Sequence, residues 1–152
     1  MLRRDDPSFF RNLHITNKVG VEANVSYTSE MGITGFGIDI SRFFISSNNL
    51  GNRNRTMANL FLEHRFTVWD NVDVTPGVAV TYFSDFKFNA FPGLDVGVQL
   101  TDNLKAYGNI GYTFRVPTFT DLYYKDPGTS GNPNLEPENA FRYYNRALFY
   151  YK

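Results

Sequence analysis

Apolar and polar side chains alternate with a period of two along most of this chain. In Leu104–Arg115 the even positions are Leu104, Ala106, Gly108, Ile110, Tyr112 and Phe114; the odd ones are Lys105, Tyr107, Asn109, Gly111, Thr113 and Arg115. Successive side chains of a β-strand point to opposite faces, so one face is apolar or small and the other mostly polar. Leu94–Thr101 and Val72–Phe83 repeat the pattern. Pro76 lacks an N–H for the ladder and predicts a bulge or a locally unpaired position. Lys18–Thr28, Gly35–Ile45 and Thr56–Val68 read as earlier strands, with His64 breaking the apolar row of Leu60, Leu62, Phe66 and Val68. Ala140–Tyr151 alternates less clearly and reads as the last strand. The fold class expected is an all-β antiparallel meander of about seven strands, with no convincing helix.

The connections are expected to alternate in length. Short turns fall near Ser29–Gly32, Trp69–Asn71 and Thr101–Asn103, and longer polar connections at Ser46–Arg55, Ser84–Pro92 and Val116–Glu138. Short turns on one side and long loops on the other is the layout of an outer-membrane barrel, in which the long side is extracellular. Seven strands do not close such a barrel, which has an even count of eight or more. At roughly 22 residues per strand and connection, a 22-stranded transporter barrel takes on the order of 480 residues, about three times this chain. An open sheet edge is not tolerated in lipid, so the remaining wall is expected from elsewhere.

Composition supports this reading. Of 152 residues, 15 are Phe and 10 Tyr, an aromatic content suited to a lipid-facing wall with interfacial girdles. Apolar runs reach only about five residues, as in Ala147–Tyr151, against the roughly 20 that a membrane-spanning helix needs. Fifteen basic residues balance fifteen acidic ones, which argues against a nucleic-acid partner. There is no cysteine, so disulfides and thiolate chemistry are excluded. No nucleophile elbow, phosphate-cradling glycine loop or HExxH is present, and TGFG at Thr34–Gly37 lies within a strand; no enzyme activity and no cofactor are expected. The opening residues carry Asp5, Asp6 and Pro7 where an export signal needs an apolar stretch, so the chain is expected to start inside a longer parent.

The stretch from Phe91 to Glu138 resembles the barrel of TonB-dependent outer-membrane receptors. The residues that carry the likeness are Phe114, Arg115, Pro117, Thr118, Phe119, Asp121, Leu122 and Tyr123, followed by Gly131, Asn132, Pro133, Asn134, Leu135, Pro137 and Glu138. A looser likeness is to the cobalamin (vitamin B12) branch as found in gut Bacteroidetes. It rests on NLHIT at Asn12–Thr16, GITGFGIDI at Gly32–Ile40 and ISSNNLG at Ile45–Gly51. The family's aromatic-Glu-x-Gly pattern is departed from, since Tyr144 and Arg146 stand where Glu and Gly are expected. The resemblance implies that residues 1–152 are a mid-barrel piece, without plug, energy-coupling box or terminal aromatic strand, and carry a long extracellular loop over 116–138. Its implied partners are outer-membrane lipid, the remaining barrel and plug, the TonB complex through the parent, and cobalamin or an iron–siderophore as ligand. The implied location is the outer membrane of a Gram-negative cell.

Candidate ligand contacts are Arg115, Tyr123, Tyr124, Asn48 and Asn49. Arg115 either meets ligand or plug, or holds loop carbonyls and carboxylates through its five donors. Tyr123 and Tyr124 either stack on a ligand ring or serve as interface aromatics. Asn48, Asn49, Asn52 and Asn54 lie in a polar connection that either binds substrate or is simply solvated. Pro117, Pro133, Pro137 and Gly131 are expected to shape the loop. The inward charges Glu22, Asp39, Glu63, Arg65, Asp73, Asp95 and Lys105 either contact a plug or a permeating ligand, or form a solvated or salt-bridged lumen wall, the plainer reading. His14 and His64 are isolated, so no metal site is expected. Two rival architectures remain. One is a small autonomous outer-membrane barrel completed by Pro7–His14; the other is a soluble sandwich or carrier with its apolar faces turned inward.

Overall fold

The computed structural model describes residues 13–149. Its main element is one antiparallel sheet of seven long strands: β1 (His14–Ser29), β2 (Gly32–Ser47), β3 (Gly51–Val68), β4 (Val72–Phe83), β5 (Lys87–Thr101), β6 (Leu104–Arg115) and β9 (Glu138–Phe149). The strands lie side by side in chain order, with β9 against β6. Between β6 and β9 come a five-residue helix, α1 (Phe119–Tyr123), and a small hairpin of β7 (Lys125–Asp126) and β8 (Thr129–Ser130). Apart from Leu13 and His14, the candidate eighth strand Pro7–His14 lies outside the described residues. His14 itself opens β1.

The registers line up the apolar positions of neighbouring strands. One row runs Val25, Phe36, Leu62, Val78, Pro92, and the next runs Ala23, Ile38, Leu60, Val80, Ala90. The opposite face carries rows such as Glu22, Asp39, Asn59, Thr81, Asn89. Exposure is inverted relative to a water-soluble sheet. Val21, Val25, Phe36, Leu60, Leu62, Ile110 and Tyr143 are exposed on the apolar face, whereas Ser41, Arg55 and Thr81 are buried on the polar one. The buried hydrophobic side chains, Ile45, Leu50 and Leu122, lie toward the end that bears the long loop. Among the described residues no second layer covers the apolar face. A wall with one face against hydrocarbon and one against water has this polarity.

The dimensions agree with that environment. On β4 the apolar row runs from Val72 to Tyr82, a rise of about 33 Å along the strand at ~3.3 Å per residue. At the tilt of about 45° usual for membrane strands this gives a band roughly 23 Å tall, against the ~25 Å apolar belt of such barrels. Aromatic pairs sit toward the upper border, with Tyr82 4.9 Å from Phe88 and Tyr112 5.5 Å from Phe141 between ring centres.

Several boundaries differ from the pattern-based expectation. Ser46–Arg55 and Ser84–Pro92 are not long connections. The strands continue through them, leaving turns of residues 48–50 and 84–86. In β5, Phe88, Ala90 and Pro92 do alternate with Lys87 and Asn89 and join the apolar rows. The strand ends flanking the β2–β3 turn lack apolar alternation, which reads as loop. They are instead held by polar cross-strand bonds: Ser46 Oγ donates to Asn52 at 2.9 Å and Arg42 Nη2 to Asn54 at 3.2 Å. Among the described residues only the connection after β6 is long, and it contains a helix that periodicity could not reveal in five residues. Pro76 behaves as expected: the β3–β4 ladder skips the positions beside it without changing register. The real bulge falls between Gln99 and Thr101. His64, the break in the apolar row, is satisfied by Thr34 Oγ1 at 2.9 Å and stacks on Phe66. The last strand runs in unbroken register with β6 from Arg115 opposite Glu138 to Leu104 opposite Phe149.

Candidate functional site

Three chain segments meet at the long-loop end of the sheet: the β2–β3 tip, the β4–β5 tip and the connection of residues 116–137. Arg55 joins all three. Its side chain is 8% exposed, its Nε donates to Asp85 Oδ2 at 2.7 Å and its Nη2 to the Pro117 carbonyl at 3.0 Å. Its guanidinium also lies 5.1 Å from the Phe86 ring centre and 4.9 Å from that of Phe119. A planar, permanently charged fork can donate along its edge and stack through its faces at once, which a lysine cannot.

A second junction lies eight residues further along the loop. Asn49 Nδ2 donates to the Lys125 carbonyl at 2.6 Å, and the Lys125 N–H donates back to Asn49 Oδ1 at 2.9 Å. The side-chain amide thus pairs with a peptide group as another strand would. Beside it, the Arg53 guanidinium stacks 3.8 Å from the Tyr123 ring centre while its Nε donates to the Leu50 carbonyl.

Between the junctions the loop builds its own scaffold. Thr118 caps α1 reciprocally with Asp121: the Asp121 N–H donates to Thr118 Oγ1 at 3.1 Å and the Thr118 N–H to Asp121 Oδ2 at 2.9 Å. Gly131 N–H donates to the Tyr124 carbonyl and Asn132 N–H to that of Asp121, so the GNPNL segment lies against α1. Asn134 N–H turns back onto Asn132 Oδ1, and Pro133, Asn134 and Leu135 stay exposed. Pro137 leads into Glu138, which opens β9 opposite Arg115.

The bonds to Thr118, first its backbone N–H and then its side chain, hold the Asp121 carboxyl below the ordinary carboxylate range, with Arg115 adding to the effect. A depressed carboxyl pKa contributes stability above the ordinary value, and that contribution is lost as pH falls through the lowered one. We therefore expect the amide protection of Leu122 and Tyr124 to hold through mild acid and to fall below the ordinary carboxylate range. Asp121→Asn should flatten this dependence, measured by hydrogen exchange corrected for intrinsic rates. An unchanged acid profile in the variant would contradict the assignment.

The sequence-derived candidates separate into two groups. Asn49 and Tyr123 are brought together, but as loop fasteners. Arg115 reaches Asp121 Oδ2 at 3.9 Å, the loop-holding alternative, with its side chain 69% exposed. Asn48 Oδ1 accepts from Leu13 N–H, and the Tyr124 hydroxyl donates to Asp126 at 3.4 Å. Phe114 continues the apolar row of β6, yet it packs with Phe83 and Phe91 of the opposite row at 6.1 and 5.6 Å, above the point where β6 parts from β5. A hollow of about 410 Å³ opens beside Arg115, Pro117, Asp121, Asn132 and Glu138. Arg55 and Arg53 were not anticipated as functional. The only signal available was an arginine pair in a polar segment, which reads equally well as solvated loop.

On the polar face the larger hollow, about 590 Å³, is floored by Gly77, Gly93 and Gly111 and flanked by Glu63, Asp95 and Arg142. Toward the short-turn end Asp73 accepts from Arg65 Nη2 at 2.8 Å, Lys105 Nζ at 2.7 Å and Thr67 Oγ1 at 3.0 Å, a salt-bridged wall. Glu22 accepts from Asn24 and Asp39 from Ser41. His14 meets Ser47 Oγ at 2.8 Å.

Comparison with known proteins gives three findings. The family model described as "TonB dependent receptor-like, beta-barrel" matches residues 3–143, ending at the position where the aromatic-Glu-x-Gly pattern is lost. Over 50 residues, 33% of this chain, the sequence is 46% identical to the vitamin B12 transporter BtuB of Photobacterium profundum, covering 8% of that protein. This relative lends no support to a Bacteroidetes origin. The fold is similar to those of two siderophore receptors named PirA. That of Pseudomonas aeruginosa gives a TM-score of 0.74 at 18% identity, over 93% of this chain and 29% of the receptor. That of Acinetobacter baumannii gives 0.72 at 15%, over 92% and 25%. At these identities the likeness concerns the fold alone, and the chain spans less than a third of each receptor.

Proposed function

This chain belongs to the TonB-dependent receptor β-barrel family, and from that premise we propose that it forms a seven-stranded wall of an outer-membrane receptor that takes up cobalamin or a related large ligand. The observation that carries the reading is the inverted sheet, apolar face exposed and polar face lining the hollows. The family is one of transporters and receptors, located in the outer membrane of Gram-negative cells. The long-loop end is then extracellular, and the polar face lines the lumen in which a plug sits. Ligand binds at the loops, the plug rearranges under force from the TonB complex, and the ligand passes along the wall. Among the described residues β1 and β9 each have a sheet neighbour on one side only, and the similarity in fold to receptors of which the chain spans less than a third supports completion by further strands, about 22 in all. The similarity to a vitamin B12 transporter supports a corrinoid as the ligand.

The test is equilibrium binding in detergent-solubilised outer membranes from cells carrying the gene in its native context, with cyanocobalamin compared against ferric siderophores. Saturable cobalamin binding that ferric chelates do not displace is expected. Binding of a ferric siderophore in its place would reassign the ligand, and the absence of the chain from the outer-membrane fraction would overturn the receptor reading itself.

A further inference from the structure

We infer that Arg55 is the positioning residue of the loop end: it locks the root of the long connection, residues 117–125, into a fixed buttress on which Gly131 and Asn132 also rest, leaving residues 126–130 and 133–137 free to adapt to a ligand. The inference deepens the receptor reading and rests on it only for the word ligand; the mechanics stand on the contacts themselves. The root is tied to the sheet at two points. Pro117 is held by Arg55, which is itself paired with Asp85 on a different hairpin. Lys125 is held by both polar atoms of the Asn49 amide. A segment fixed at both ends cannot swing as a lid about either one without breaking the other. The span between them is stiffened by the Thr118–Asp121 capping box and by Leu122, 3% exposed, and is pressed onto the tips by the Arg53–Tyr123 and Arg55–Phe119 stacks.

Beyond Lys125 the character changes. The β7–β8 hairpin is only two residues on each side, and its residues are exposed. A side chain added at Gly128 would meet nothing within 4 Å. Gly131 and Asn132 are tied back to α1 through their N–H groups, whereas residues 133–136 are exposed and their turn is closed by local bonds. The surface that borders the hollow beside Arg115 is therefore preformed on the root side and adaptable on the other. Binding needs no ordering of 117–125, which removes an entropic cost that a mobile loop would carry.

The experiment is amide hydrogen exchange on the detergent-solubilised protein without ligand. In the wild type, Leu122, Tyr124 and Lys125 are expected to be protected at least tenfold over Gly128. Arg55→Met should lower that protection about tenfold or more while the β3–β4 ladder amides keep theirs, which separates loop release from misfolding. Arg55→Lys retains a cation for Asp85 without the planar fork, so it should restore only part of the protection. Asn49→Ala should release Lys125 while leaving Arg55 untouched. Exchange of Leu122 and Tyr124 as fast as Gly128 in the wild type, or full protection in Arg55→Met, would overturn the inference whatever the ligand proves to be. If protection behaves as stated but cobalamin fails to bind, the ligand assignment falls and the buttress stands.

Discussion

Gly131→Ala should unseat α1 and destabilise the long loop by about 2–4 kcal/mol, from overpacking plus the loss of two backbone hydrogen bonds. A Cβ on Gly131 would lie 2.7 Å from Tyr123 N, 2.8 Å from the Leu122 carbonyl carbon and 2.9 Å from Asp121 O. All three are backbone atoms of one helix and cannot move aside singly. The same approach brings Gly131 N–H onto Tyr124 O at 2.7 Å and Asn132 N–H onto Asp121 O at 2.9 Å, so pushing the segments apart breaks both bonds. No left-handed backbone is involved; closeness alone demands glycine here. The paired control is Gly128→Ala, where the space is open, and a change within about 0.5 kcal/mol is expected. Trypsin cleavage after Lys125, which is exposed in β7, reads the difference: faster in Gly131→Ala, unchanged in Gly128→Ala. Equal rates in the two variants would mean that the GNPNL segment does not rest on the helix.

The second large effect concerns the apolar face. Val78 lies opposite Leu62 and Pro92, halfway up the apolar band. Val78→Arg puts a charge at the expected bilayer midplane and should cost about 2–4 kcal/mol, whereas near the interface the same change costs only about 0–1. Its neighbour Gly77 faces the other way, onto the polar side, with its nearest would-be contact at an ordinary 3.4 Å from Glu63 Cβ. Gly77→Ser should therefore be tolerated within about 1 kcal/mol. Unfolding by denaturant from lipid vesicles measures both. If Val78→Arg and Gly77→Ser cost the same, the sheet is not embedded with its apolar row in hydrocarbon.

Most of the sheet was legible because a strand with lipid on one side and water on the other imposes a period of two on every residue it embeds. Val72–Phe83 and Leu104–Arg115 were located to the residue, and Pro76 announced a gap through its missing N–H. The signal fails where that constraint ends. Ser46–Ser47 and Gly51–Arg55 rise toward the tips, where polar residues serve on both faces, so strand and loop look alike. The candidate site was legible in part. Pro117, Pro133, Pro137 and Gly131 read as loop-shaping, while the Thr118–Asp121 capping box and the close approach of Gly131 to α1 are visible only in the structure. Asn49 and Tyr123 are candidate ligand contacts on the sequence, and the structure sets each against a partner remote in the chain. Their observed partners, Lys125 and Arg53, are 76 and 70 positions away in the chain.

What the sequence determined by itself was the class of wall: its strands, their order, and which face meets hydrocarbon, because alternation is a local property set residue by residue. What only the tertiary structure decided was the loop end. Arg55 becomes a hub because β3, the β4–β5 tip and Pro117 converge on it, and convergence of segments 30 and 62 residues apart leaves no periodic trace in any one of them.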